Sequence, residues 1–165
     1  MIRGADIKEV LVTGGSGFIG SHFLSKSCDA FPDINFTNID NLSYAASSNT
    51  EQLLQQYPNY HFQKIDITEL TKLIKIFQEK SFDLVIHFAA ESHVDNSIIN
   101  SNKFIKTNIL GTFNLLEISR NYYNNFKHKK NFKFYHISTD EVFGDLGNSK
   151  KMFSELSNYD PSSPY

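Results

Sequence analysis

The chain is predicted to fold as a doubly wound parallel α/β sheet, and three observations lead there. Short apolar runs alternate with stretches of helical periodicity along its length. A glycine-rich turn, Gly14-Gly15-Ser16-Gly17-Phe18-Ile19-Gly20, follows directly on the first apolar run and opens the first helical stretch. The predicted strands end in glycine or polar clusters: Gly14–Gly17, Asp40, Asp66, Phe88–Ser92 and Ser138–Glu141. Ligands bind at the carboxyl edge of such sheets, so these clusters predict a binding crevice on one edge.

Val10-Leu11-Val12 forms the first buried strand. The turn after it fits G-x-G-x-x-G from Gly15 to Gly20, the dinucleotide (Rossmann) fingerprint, and G-x-x-G-x-x-G from Gly14. Such a turn offers backbone N–H groups and a helix N-terminus to a pyrophosphate. Phe18 to about Cys28 is the first helix, with Ile19, Phe23 and Leu24 recurring on one face. Asn35–Ile39 is a second strand, ending at Asp40, twenty residues after Gly20. An acid there accepts the hydroxyls of an adenosine ribose and repels a 2′-phosphate, which favours NAD over NADP. A polar loop with Tyr44 leads to a short helix from about Asn49 to Gln56. Tyr60–Lys64 alternates as a third strand, and Asp66-Ile67 follows at the height of an adenine edge. Leu70, Leu73, Ile74 and Phe77 mark a helix to about Lys80. Leu84–Phe88 is a continuous apolar run, as in a strand covered on both faces. Ala89-Ala90 then let a ligand lie close to the backbone. A long helix is predicted from about Asn102 to Tyr123, with Ile105, Ile109, Thr112, Phe113 and Leu116 on one face and Gly111 packed close to the sheet. Phe132–Ile137 is a fifth strand, and Gly144 to Pro164 reads as loop.

The 165 residues, 40% hydrophobic and 21% charged, suit one domain with a core. A net charge of −2 and a pI near 6.3 give no sign of a nucleic-acid or membrane surface. The basic cluster Lys127-His128-Lys129-Lys130 reads as a solvated loop. With Cys28 as the single cysteine, neither an internal disulfide nor a Cys-rich zinc site is possible, and no His/Cys/acid cluster points to a metal. The first residues, Met1–Asp6, lack an apolar signal core, and no apolar run reaches membrane-spanning length, so a cytoplasmic location is expected.

Three motifs together carry a resemblance. Thr13–His22 resembles the cofactor loop of extended short-chain dehydrogenases that act on nucleotide sugars. His87-Phe88-Ala89-Ala90-Glu91-Ser92-His93-Val94-Asp95 and Ser138-Thr139-Asp140-Glu141-Val142-Phe143-Gly144 resemble the dTDP-glucose 4,6-dehydratase family. The closing Pro161–Tyr165 is similar to the segment leading into that family's Tyr-x-x-x-Lys motif. The resemblance implies NAD contacts at Gly14, Gly17, Phe18, Ile19, Asp40, Asn41, Ser43, Asp66, Ile67, Phe88, Ala89, Ala90, Glu91, Ser92, Thr107 and Tyr165, with Ser92 and Thr139 touching the sugar. Asn108 matches a helix asparagine that supports the active site.

The resemblance also implies a reaction. The C5 proton of a hexose becomes acidic only once C4 is a ketone. Tyr165, as phenolate, takes the C4 hydroxyl proton as the hydride leaves to NAD, and Thr139 holds the C4 oxygen. Glu141 removes the C5 proton, and Asp140 protonates the departing C6 hydroxyl. Adjacent acids with opposite roles need environments that separate their pKa values. The hydride returns to C6, so NAD is regenerated and the product is a 4-keto-6-deoxy sugar nucleotide. Alternatives at this stage are a UDP-glucose 4,6-dehydratase, a nucleotide-sugar 4-epimerase, which lacks the acid pair, and an NAD-binding module without chemistry. The resemblance further implies a homodimer, with the helix from Asn102 as a candidate surface.

The sequence ends at Tyr165, before the position of the family's lysine. Residues 1–165 are therefore expected to be the N-terminal NAD-binding domain of a longer enzyme, with an incomplete sheet, no nucleotide-sugar domain, and no activity alone. The fifth strand is expected to form an exposed sheet edge.

Overall fold

The structure, a computed structural model, describes residues 7–44, 46, 48–125, 131–148 and 152–165. The readings made on Met1–Asp6 and on Lys127–Lys130 lie outside the described residues. The elements are β1 (Glu9–Thr13), α1 (Phe18–Ala30), β2 (Asn35–Asp40), α2 (Ser48–Leu54), β3 (Tyr60–Lys64), α3 (Leu70–Glu79) and β4 (Leu84–His87). After these come α4 (Val94–Ile99), α5 (Ser101–Phe104), a π-helical segment (Ile105–Gly111), α6 (Thr112–Asn125), β5 (Lys133–His136) and a 3₁₀ turn (Asp140–Phe143).

The five strands are all parallel, in the order β3-β2-β1-β4-β5. β1 is central because both of its neighbours bury it: Val10, Leu11, Val12 and Thr13 are fully enclosed. Alternation along the strand divides these residues between two cores. Leu11 and Val85 pack under α3 and α6 with Phe77, Phe82, Leu115 and Tyr122. Val10 and Val12 pack under α1 and α2 with Leu24, Phe36 and Leu54. The chain winds one way from β1 to β3 and the other way from β4 to β5, so the strand order reverses between β1 and β4. A crevice opens at such a switch point.

Two expectations about faces need correction. Leu24 is buried in α1 with Gly20, Ser27 and Cys28, and Phe23 packs against the same core, whereas Ile19 is 64% exposed. The helix must bring Gly20 against the glycine turn, which rotates Ile19 toward the crevice instead. The long helix runs unbroken through α5, the π segment and α6, although its π turn was not expected. Its predicted apolar stripe is not its core face. Ile105, Ile109, Phe113 and Leu116 are 50%, 64%, 56% and 47% exposed. The core side belongs to Phe104, Gly111, Leu115, Ile118 and Tyr122. Gly111 is needed there, because a Cβ would come within 2.5 Å of Ile67 Cγ1. The fifth strand is at the sheet edge, as expected, with Tyr135 and Ile137 exposed beside it.

The sequence gives no role to His87, yet it is fully buried at the end of β4. Its Nδ1 is 2.6 Å from Thr13 Oγ1 and its Nε2 is 2.9 Å from Thr112 Oγ1, so the ring bridges β1 and α6. Burial, aided by the His136 ring 5.1 Å away, pulls its pKa down to about 4. The folded state therefore disfavours protonation relative to the unfolded chain. The associated stability is fully present above pH 6.5 and is lost as the pH falls toward 4. His87→Gln is expected to remove up to about 3 kcal/mol of pH dependence between those limits. Urea unfolding of both proteins across that range measures the difference.

Candidate functional site

The crevice is built first by the glycine turn. Gly14 has φ +73°, and a Cβ there would lie 2.5 Å from the Cα and N of Ala89. The loops after β1 and β4 thus touch backbone to backbone, which only glycine permits. Gly20 lacks room for a side chain against Gly14 O, so the first turn of α1 presses onto the loop. β2 takes the loop's first N–H groups: Gly14 N–H donates to Ile39 O, Gly15 N–H to Asn38 Oδ1 and Ser16 N–H to Asp40 Oδ2, at 2.9–3.0 Å. Gly17 N–H donates to Gly14 O. Gly17 is the N-cap of α1 and carries no capping side chain. The first-turn N–H groups that follow have no intrahelical acceptor, and Gly17, Phe18, Ile19 and Gly20 all line the crevice. This is a fixed set of donors at the positive end of a 13-residue helix.

The second wall follows β2. Asp40 is buried and its two oxygens accept from Ser16 N–H and, at 2.8 Å, from Leu42 N–H. Burial pushes its pKa above the usual carboxylate value, against the pull of those two bonds. Leu42 takes φ +56°, a costly conformation for a side-chain-bearing residue. The bonds Leu42 N–H to Asp40 and Ser43 N–H to Asn41 Oδ1 hold this turn, and Asn41 Nδ2 donates to Asp66 Oδ2 at 2.8 Å. Burial works against the charge on Asp66, but hydrogen bonds from Asn41 and Thr68 hold its pKa below the usual carboxylate value. The charged carboxylates of Asp40 and Asp66 keep free lone pairs for hydroxyl and amino donors.

The third wall is the segment after β4. Ala89 N–H donates to Thr13 Oγ1, and Glu91 is clamped by Asn108 through its N–H at 2.8 Å and its C=O at 2.9 Å. Asn108 can do this because the π segment turns both Thr107 and Asn108 toward the site; such segments cluster at functional sites. The buried Glu91 carboxylate pairs with Lys103 Nζ at 2.8 Å. That ammonium also lies 4.7 Å from the Tyr44 ring.

Every residue assigned to the cofactor in the sequence analysis lines one cavity of about 520 Å³, from Gly14 through Glu91 and Thr107 to Tyr165. Gly20 and Ser138, singled out in the fingerprint and at a strand end, line it too, as do Ile39, Ala46, Ile65, His93 and Ile137, which the cofactor assignment left out. Ile39, Ile65 and His93 follow a simple signal, since each adjoins a predicted residue. At the far end, Ser138 also borders a second cavity with Thr139, Asp140, Val142, Phe143, Tyr159 and Pro161. Phe143 stacks between Phe153 and Tyr159 there, with ring centroids 5.3 and 5.7 Å away. Thr139 is the N-cap of the 3₁₀ turn and accepts from Glu141 N–H at 3.2 Å. Asp140 borders the second cavity, whereas Glu141 borders neither, and both are exposed. Tyr165 is half-buried, edge-on to Phe104. The described residues hold no cluster of His, Cys, Asp and Glu suited to a metal ion, and no helix of theirs is long and apolar enough to cross a membrane.

The model of the GDP-mannose 4,6 dehydratase family matches residues 11–165. The dTDP-glucose 4,6-dehydratase of Haemophilus influenzae is 47% identical over 158 residues, 94% of this chain and 46% of that protein. The chain thus spans about half the length of the curated relatives it matches. The crystal structure of dTDP-glucose 4,6-dehydratase from Bacillus anthracis in complex with NAD superposes with a TM-score of 0.80 at 35% identity, over 96% of this chain and 46% of that one. The UDP-Glc/GlcNAc 4-epimerase of Campylobacter jejuni superposes with a TM-score of 0.81 at 29% identity, over 96% and 44%.

The contact at Gly14 makes a clear prediction. Gly14→Ala forces a methyl group into the Ala89 backbone at a positive φ, and is expected to cost about 2 kcal/mol or more. Gly17→Ala meets only Gly14 O at 3.4 Å and is expected to cost less than about 1 kcal/mol. Chemical denaturation of the two variants compares these costs directly.

Proposed function

This chain belongs to the GDP-mannose 4,6 dehydratase family, and on that premise we propose that it is the cofactor-binding part of an NAD-dependent nucleotide-sugar 4,6-dehydratase. The observation that carries the reading is the convergence at the switch point. An uncapped helix N-terminus, a buried acid at the end of β2 and a two-alanine step after β4 all line one cavity. These groups suit the three parts of a dinucleotide. The N–H groups of Phe18 and Ile19 meet the pyrophosphate. Asp40, Asn41 and Ser43 meet the adenosine ribose, and Asp66-Ile67 the adenine edge. Phe88–Ser92, Thr107 and Tyr165 border the nicotinamide end. NAD, when bound, supplies a reversible hydride acceptor.

The chain's own groups divide the remaining work. Tyr165 takes the C4 hydroxyl proton and Thr139 holds that oxygen. Glu141 takes the C5 proton, Asp140 delivers a proton to the C6 hydroxyl, which leaves as water, and Glu141 gives its proton back to C5 as the hydride taken from C4 is restored at C6. Ser92 and Thr139 contact the sugar. The relatives' names support dTDP-glucose as substrate, giving dTDP-4-keto-6-deoxyglucose. UDP-glucose remains the alternative base, to be decided by titration with both sugar nucleotides. Fold likeness does not separate a dehydratase from a 4-epimerase, since both superpose equally well. The Asp140-Glu141 pair is what favours the dehydratase.

The nucleotide-sugar domain is assigned to the half of the relatives' length that this chain does not span. The enzyme acts in the cytoplasm as a homodimer. The exposed stripe of Ile105, Ile109, Phe113 and Leu116 supports the dimer, because a second copy would bury it.

Two measurements test this reading on the full-length protein. Calorimetry is expected to show NAD binding at least about tenfold more tightly than NADP, because a 2′-phosphate would face Asp40; equal affinities would remove Asp40 from the ribose. The double variant Asp140→Asn with Glu141→Gln is expected to lower 4-keto-6-deoxy product formation at least about 10²-fold. Water elimination persisting at the wild-type rate would sink both role assignments.

A further inference from the structure

Beneath the glycine turn lies a buried polar cluster that the reaction does not use. It comprises Ser16, Asn38, Glu51 and Tyr60, each at most 6% exposed. Asn38 comes from the middle of β2, Tyr60 from the start of β3 and Glu51 from α2. Buried polar groups of this kind are costly unless every donor and acceptor is matched.

The direction of each bond can be fixed. Gly15 N–H can only donate, so Asn38 turns its Oδ1 toward it, at 2.9 Å. The Asn38 amide protons then face two hydroxyl oxygens, Ser16 Oγ at 3.1 Å and Tyr60 Oη at 2.9 Å. Those hydroxyls must send their own protons elsewhere. Both send them to Glu51: Ser16 Oγ to Oε2 at 2.9 Å, and Tyr60 Oη to both carboxylate oxygens at 2.9 Å. A carboxylate accepts only, so one negative charge orders the whole chain of bonds from α2 to the backbone of the glycine turn. Among the described residues Glu51 has no cationic partner. Its charge is held by these hydroxyls at the N-terminal turn of α2.

We propose that Glu51 is a positioning residue for the cofactor site, which acts through Ser16 and Asn38 to hold the glycine turn in the shape that presents its N–H groups to a pyrophosphate. The proposal rests on the cofactor reading above. The adenosine end touches this cluster only through the backbone N–H of Ser16, which donates to Asp40; Asp40 with Leu42, and Asn41 with Asp66, are joined by bonds that bypass the Glu51 carboxylate. Removing the charge therefore affects ligands that reach the turn and spares those that do not. Glu51→Gln keeps the shape but offers one acceptor oxygen to two hydroxyl protons, and its amide faces oxygens that already accept from Asn38. Ser16→Ala cuts one of the two side-chain links to the turn and leaves in place the Tyr60–Glu51 pair and, through Asn38, the bond to Gly15 N–H.

The test is calorimetric titration of the full-length, cofactor-free protein and both variants with NAD, ADP and adenosine, with thermal unfolding as a check on folding. Expected for Glu51→Gln is a Kd raised about tenfold or more for NAD and ADP, but less than about threefold for adenosine. Ser16→Ala is expected to shift the same two ligands in the same direction by a smaller factor, and it keeps the question answerable if Glu51→Gln does not fold. Two results overturn the proposal while leaving the cofactor reading intact. One is wild-type affinity for NAD and ADP in folded variants. The other is an equal loss for all three ligands. If the wild-type protein binds neither NAD nor ADP, the cofactor reading falls and this proposal falls with it.

Discussion

The close approach of Gly14 to Ala89 is the contact on which the rest of the carboxyl edge depends. Neighbouring parallel strands keep their spacing through ladder bonds, and the ladder between β1 and β4 runs on past Thr13 with Phe88 N–H donating to Thr13 O. After that bond the two chains must part, β1 into α1 on one face and β4 toward α4 and α6 on the other. Gly14 makes the parting abrupt through a positive φ with no Cβ in the way. A gentler divergence would fill the switch point with side chains. The abrupt one leaves backbone around a cavity, and only backbone offers N–H donors at fixed positions without the entropy cost of ordering a side chain.

Polar groups hold this seam from both faces of the sheet. On one face His87 ties Thr13 to Thr112, and Thr13 Oγ1 in turn receives Ala89 N–H. On the other, Asn38, Ser16 and Glu51 hold the turn. Apolar packing alone would give similar burial but not these directions. A methyl group is indifferent to rotation, whereas a hydrogen bond to Gly15 N–H fixes which way the peptide plane points. The two clusters solve the problem of charge differently. Burial keeps His87 neutral well below its ordinary pKa, while the cluster under the turn is ordered around a carboxylate.

The sequence made the strands, the switch point and the cavity lining legible because each has a strong local cause. Val10–Val12 and Leu84–Ile86 are apolar runs, and Gly14–Gly20 has a spacing that steric limits demand. The helix faces were harder. The segment from Phe104 to Tyr123 carries apolar residues on two stripes, and periodicity does not say which stripe meets the sheet. Gly111 decides it, since only the stripe containing a glycine fits against Ile67. Glu51 was illegible for another reason. An acid in the first turn of a short helix is ordinary surface chemistry, and its burial depends on Ser16, Asn38 and Tyr60 arriving from three distant places.

The two ends of the site are built to different standards of rigidity, and this bears on how one fold serves several reactions. The end proposed for the dinucleotide is enclosed by bonded backbone: the glycine turn, the Asp40–Ser43 turn and the Asn108 clamp on Glu91. The end proposed for the chemistry, Ser138 to Glu141, follows β5 and is tied by short-range bonds, among them Glu141 N–H to Thr139 Oγ1 and Gly144 N–H to Glu141 O. Changing residues at the enclosed end disturbs the central strand pair, so substitutions there carry a stability cost. A dehydratase and an epimerase superpose over this same half, so on the proposed reading their difference lies in particular side chains, the Asp140-Glu141 pair after β5 being the one that favours the dehydratase.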